Sequence, residues 1–259
     1  MNMLTKTKLL IGNTLCHPVI SDVISTTFKG RIPRWGFVID TNNDYIPRCN
    51  AASIFWGLYE RKEIELISKF LNRELDVIEL GSSLGVISLH VIRVQNREQK
   101  IICVEANPYL IETIKANANL NAPWKNVEVI NRAIDYSGQS EVSFNVSQNN
   151  LGSQVNPSNV DNSTSVKTTT LKKLIHDYHI KDFALVSDIE GAEAGMILKD
   201  VEALKHCKQM IIELHPINYE GYTYSVDELR EKIETIHGFR LIAKRHGVHV
   251  FEKDYRFSS

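Results

Sequence analysis

The chain has 259 residues, 43% hydrophobic and 24% charged, which suits one well-packed domain with additions and excludes wholesale disorder. Thirty Lys and Arg against thirty-one Asp and Glu leave a formal charge of −1, so no global basic field steers it to nucleic acid or anionic lipid.

In the first part of the chain, Trp35-Gly36-Phe37-Val38-Ile39-Asp40 and Tyr45-Ile46-Pro47, separated by the polar run 41–44, predict two short strands around a turn. From about 51 to 72 the pattern is helical, with Ile64, Ile67 and Leu71 on one stripe. Residues 1–74 are therefore expected to form an N-terminal cap of short strands and a helix.

From Leu75 apolar runs of strand length alternate with helical segments, the pattern of an α/β domain whose parallel sheet is covered on both faces. Strands are predicted over 75–80, 100–105, 127–131, 183–188 and 209–214. Helices are expected after Gly85, after Asn107-Pro108, over 171–179 and over 192–205. The stretch 137–166 is rich in Ser, Asn, Gln and Gly and reads as a hairpin insertion with a long tip. Ser225-Val226-Asp227-Glu228 is a capping box opening a helix that stops at Gly238. Two final strands, 239–245 and 248–253, are joined only by His246-Gly247 and must be antiparallel. The expected architecture over 75–259 is a mostly parallel seven-stranded Rossmann-like sheet with an antiparallel C-terminal hairpin and helices on both faces.

Glu79-Leu80-Gly81-Ser82-Ser83-Leu84-Gly85 lies at a strand-to-helix junction. Its glycines let a ligand approach the backbone, and the helix N-terminus offers free N–H groups. Glu105 ends the next strand, where a carboxylate accepts the hydroxyls of an adenosine ribose. Two cofactors fit this arrangement, a nicotinamide dinucleotide and S-adenosylmethionine. The dinucleotide fingerprint wants a third glycine, and Glu79 would repel a pyrophosphate, whereas a carboxylate suits an ammonium and a sulfonium. The expected cofactor-binding set is Glu79, Gly81, Ser82, Ser83, Gly85, Glu105, Ala106, Asn107, Ala133 and Asp188.

At the same carboxyl end of the sheet, Asp188-Ile189-Glu190-Gly191-Ala192-Glu193 and Glu213-Leu214-His215-Pro216 close two further strands. Strand alternation puts Asp188 with Glu190, and Glu213 with His215. Clustered carboxylates repel and are costly to desolvate, so stability alone does not choose them. These motifs, with Val104-Glu105-Ala106-Asn107-Pro108 and Thr170-Leu171, resemble the FkbM family of S-adenosylmethionine-dependent methyltransferases over roughly residues 55–220. The family's usual turn reads more like Asp-x-Gly-Ala-Asn-x-Gly; here Glu79 replaces its aspartate and Ser82-Ser83 its Ala-Asn. The resemblance implies the class I methyltransferase fold, S-adenosylmethionine as cofactor and, most often, O-methylation of a hydroxyl on a sugar, glycan or polyketide.

A hydroxyl needs a proton acceptor as it attacks the methyl group, and His215 is the expected base, with Asp188 or Glu190 orienting it or standing in for it. Rival readings are a nicotinamide-dependent oxidoreductase and a non-catalytic cofactor-binding interaction protein. The expected partner is a small-molecule or carbohydrate acceptor, with no nucleic acid. No metal is expected, because no compact ligand motif is present. The cysteines Cys16, Cys49, Cys103 and Cys207 are scattered, arguing against a zinc site or disulfide framework. No run approaches the ~20 apolar residues of a membrane span, and Leu9-Leu10-Ile11 is too short for a signal-peptide core, so a cytoplasmic protein is expected.

Overall fold

A computed structural model describes residues 14–145, 163–189 and 191–254. The N-terminal part begins with α1 (Pro18–Phe28), which ends at Lys29 in the left-handed region. Strands β1 (Arg31–Arg34) and β2 (Phe37–Asp40) follow as a hairpin. Its turn is Trp35-Gly36, with φ 51° and 78°, a two-residue turn whose positive φ angles match the twist of the strands. The expected pairing of 35–40 with 45–47 is thus incorrect. The polar run after Asp40 leads into α2 (Arg48–Trp56), and the strand partner lies before the turn instead.

The single helix expected over 51–72 is also two. Gly57 closes α2 in the left-handed region at φ 70°, and Glu60, at φ 44°, starts α3 (Arg61–Phe70). Helical periodicity persists across the break, so the sequence pattern hides it.

The main body then follows in order: β3 (Asp76–Leu80), α4 (Val86–Val94), β4 (Ile101–Glu105), α5 (Ile111–Asn121), β5 (Val127–Asn131) and the short β6 (Ala133–Ile134). Next come β7 (Glu141–Asn145), β8 (Ser163–Thr169), α6 (Leu171–Asp177), β9 (Phe183–Ser187), α7 (Glu193–Lys199) and α8 (Val201–Leu204). The chain continues through β10 (Cys207–Glu213), β11 (Ile217–Tyr219), β12 (Tyr222–Tyr224), α9 (Val226–His237), β13 (Phe239–Arg245) and β14 (Val248–Lys253).

Seven strands form one sheet in the order β13-β14-β10-β9-β3-β4-β5. The pairs from β10 to β5 are parallel, while β14 runs antiparallel to both β10 and β13. The chain order reverses at β3, which lies between β9 and β4, and ligands of such sheets sit beyond the strand ends at that switch point.

Alternation along each strand divides the core. Val77, Cys103, Ala184 and Ile211 face one side, where they share a cluster with Leu89 of α4 and with Ile32, Ile39, Ile54 and Ile67 of the N-terminal segment. Ile78, Ile102, Leu185 and Met210 face the other, packed with Met196 of α7 and Leu229 and Ile233 of α9. The Ser225–Glu228 capping box and the Gly238 stop are both present around α9.

Helix 192–205 is interrupted at Asp200, whose Oδ2 accepts bonds from the Tyr136 hydroxyl at 2.8 Å and the Lys172 backbone N–H at 3.0 Å. Strand β7 pairs antiparallel with β8, and the stretch between them lies outside the described residues. No described helix is long and apolar enough to cross a membrane.

Candidate active site

Gly81 leaves β3 at φ 82°, and a Cβ there would stand 1.9 Å from the Asp188 carbonyl oxygen. That close approach brings the ends of β3 and β9 together, the Asp188 N–H donating to the Leu80 carbonyl at 3.0 Å. Two residues later Ser83, a non-glycine at φ 49°, donates its N–H to Glu105 Oε2 at 2.8 Å. Glu105 Oε1 accepts the Asn107 N–H at 2.7 Å. One carboxylate therefore ties the loop after β3 to the loop after β4. Burial pushes its pKa up, against the pull of the Asn107 and Ser83 N–H groups, which favour the ionised form.

These loops wall a solvent-open cleft with about 840 Å³ of space. Of the residues expected from the sequence, Gly81, Ser83, Glu105, Ala106, Asn107, Ala133 and Asp188 line it. Ser82 is buried beside the cleft without lining it, and Gly85 caps α4 against Ile114.

Glu79 is not in this wall. It is 1% exposed behind the turn, where Ser88 Oγ donates to it at 2.9 Å and Cys103 Sγ at 3.6 Å. Burial raises its pKa to about 7 despite those bonds. The cleft also takes residues that the sequence pattern does not reveal. They are Tyr59 and Glu60 at the α2–α3 break, Arg132 after β5, and Phe144 of β7. The Tyr59 and Ser83 hydroxyls are 3.0 Å apart, joining the break to the glycine turn.

At the reaction end, Asp188, Glu213 and His215 present ligand atoms that all lie within 4.8 Å of one another, a set able to hold a metal ion. Its members come from the ends of β9 and β10, which parallel pairing sets side by side, and no compact ligand motif marks them. His215 Nδ1 is 3.0 Å from Oε1 of Glu193, which is fully buried at the start of α7. The other oxygen, Oε2, accepts the Gly191 N–H at 2.8 Å. Glu193 thus holds the ring at Nδ1, while Asp188 stands beside it in the set. Glu190 lies outside the described residues. A second, smaller cavity shares Glu60, Gly81 and Asp188 with the cleft and adds Glu63, Glu79 and Glu213. Burial and a bond to Glu213 raise the Glu63 pKa to about 7.

The profile of the methyltransferase FkbM domain matches residues 83–241, well over half of the chain. The chain belongs to the FkbM methyltransferase family. It is an S-adenosylmethionine-dependent methyltransferase, and the oxidoreductase alternative falls with that assignment. No curated protein matches it.

Among solved structures, it is similar to a Streptococcus pneumoniae protein described as a putative tRNA (m1A22) methyltransferase in complex with S-adenosylmethionine. Identity is 14%, coverage 74% of this chain and 72% of that one, and the TM-score 0.43. It is also similar to M. jannaschii TYW2 in complex with AdoMet, at 15% identity, covering 86% and 85% of the two chains, with a TM-score of 0.41.

The residues of the FkbM cleft fit this cofactor. Glu105 has lone pairs that would accept ribose hydroxyls, and Ala106, Ile134 and Phe144 would supply apolar wall for a base. The buried Asn107 Nδ2 has no partner among the described residues, so it is a donor left for a ligand.

Proposed function

We propose that this FkbM methyltransferase transfers the cofactor's methyl group to a hydroxyl on a sugar, glycan or polyketide-like acceptor. The observation that supports this reading is the His215–Glu193 pair beside Asp188. A hydroxyl is a poor nucleophile at neutral pH, and an imidazole oriented by a buried carboxylate is the arrangement that accepts its proton. The cofactor supplies an electrophilic methyl group. The chain positions both reactants, keeps the imidazole in one tautomer and receives the proton at Nε2. The near-zero net charge accords with a neutral acceptor and an assignment without nucleic acid. Methyl transfer to a panel of hydroxylated acceptors, compared with amines and RNA, tests the proposal. Transfer to nitrogen alone would overturn it, and cofactor binding with no transfer to any acceptor would point to a binding protein.

A second reading rests on the Asp188, Glu213 and His215 set. A divalent cation held there would lower the hydroxyl pKa directly, so that the proton could pass to solvent, and would engage His215 as a ligand in place of its role as base. Full activity in chelator would rule out the cation; loss restored by Mg²⁺ or Mn²⁺ would rule out the imidazole as base.

A further inference from the structure

Glu60 stands where no helical pattern asks for it. It precedes α3 with φ 44° and ψ 32°, a conformation that costs a non-glycine residue about 1–2 kcal/mol, and the residue lines both the cofactor cleft and the second cavity. Across the turn Ser83 also has a positive φ, 49°, and the Tyr59–Ser83 hydroxyl contact fastens the two strained segments together. Strain of this kind persists where surrounding structure holds it, and it gathers at ligand clamps.

The cofactor's methionyl end carries an ammonium and a sulfonium, so the cleft needs a carboxylate for it. Glu79, which the sequence suggests for this task, is turned behind the glycine loop to Ser88 and Cys103. Glu105 sits at the end of β4, with each oxygen accepting a loop N–H, and is the carboxylate expected for the ribose. Glu60 and Asp188 remain, and Asp188 belongs to the set around His215. The second cavity is lined by five acidic residues, Glu60, Glu63, Glu79, Asp188 and Glu213, with no Lys or Arg among its lining residues. A positive group at Glu60 relieves that repulsion.

We propose that Glu60 is the carboxylate that receives the ammonium group of the cofactor's methionyl end, so that the N-terminal segment completes the cofactor site. The proposal rests on the assignment of S-adenosylmethionine as cofactor. Glu60 has a pKa raised well above its ordinary value, chiefly by burial and then by Glu63 and Asp188, as expected of a carboxylate lacking its counter-charge.

Calorimetric titration with S-adenosylhomocysteine and with 5′-methylthioadenosine, which lacks the amino-acid end, tests it. Glu60→Gln should weaken S-adenosylhomocysteine binding roughly 10- to 100-fold and leave 5′-methylthioadenosine within about twofold of wild type. Equal weakening of both ligands, or unchanged S-adenosylhomocysteine binding, would overturn the role. Glu60→Gly, which tolerates the positive φ, should show the same split and serves if the glutamine variant does not fold. Wild-type protein binding neither ligand would overturn the cofactor assignment itself, and the Glu60 role with it.

Discussion

Glu193 holds His215 at 3.0 Å from a position of complete burial, and its second oxygen is fixed by the Gly191 N–H. The bond is directional. A carboxylate at Nδ1 keeps the proton on that nitrogen and leaves Nε2 as the basic one. His215→Ala should therefore lower turnover roughly 10²- to 10⁴-fold while S-adenosylhomocysteine affinity stays within about twofold. Turnover at the wild-type rate would remove His215 from the chemistry.

Glu193→Gln offers the ring an amide instead. If the amide donates to Nδ1, the ring proton moves to Nε2, and the acceptor's proton has nowhere to go. Turnover should drop roughly tenfold or more. Loss of the carboxylate's charge also makes the imidazole less basic, so the acid limb of the pH–rate profile should move to lower pH. An unmoved limb would assign Glu193 a purely structural role.

Glu105 ties two loops with one carboxylate, and its remaining lone pairs are proposed to accept the ribose hydroxyls. Glu105→Ala should weaken both S-adenosylhomocysteine and 5′-methylthioadenosine by roughly 10- to 100-fold, because both carry the ribose. This pattern differs from the one expected at Glu60. Binding of 5′-methylthioadenosine unchanged from wild type would contradict the ribose role.

Gly81→Ala should destabilise the fold by at least about 2 kcal/mol, since the added Cβ meets the Asp188 carbonyl and φ is positive. Gly85→Ala, with 3.3 Å to Ile114 Cγ2, carries mainly the conformational cost of about 1–2 kcal/mol. Urea denaturation of the two variants measures the difference, and equal losses would argue against the close approach of β3 and β9.

Stability should also record the burial of Glu79. Its folded pKa of about 7 exceeds the ordinary 4.5, so the folded state binds more protons between those values. Stability attributable to this group is full below pH 4.5 and falls as pH rises through 7. Glu63 acts in the same direction, while His90, lowered to about 4 by burial and then by Arg93, opposes them below pH 6.5. Glu79→Gln should accordingly gain roughly 1–3 kcal/mol on wild type between pH 5 and pH 8. A stability difference that does not vary with pH would show that Glu79 is not protonated in the folded protein.

Much of this is readable from residue order. The buried strands around Gly81, Glu105 and Asp188 are short apolar runs ended by polar motifs, and the ends of such strands line the cleft. Strand alternation also holds the answer for Glu79, which shares the α4 side of β3 with Val77 and so faces Ser88. The contributions of Tyr59, Glu60 and Phe144 are not legible there. They come from segments whose position is set by tertiary packing, and the break that exposes Glu60 sits inside an unbroken helical period. Glu193 looks like an acid welcome at any helix start; only its distance to His215 gives it a second task.

The stretch by which the family is known and the stretch that can stand alone are different lengths of chain. The match starts at Ser83, after β3, yet β3 is the strand on which β9 and β4 both pair. A fragment trimmed to the matched span would lose the middle of its sheet, and the core cluster that holds Leu89 and Ile101 would lose the isoleucines of the N-terminal segment. Truncation has to follow the packing, and for this molecule that means retaining the chain from α1 onward.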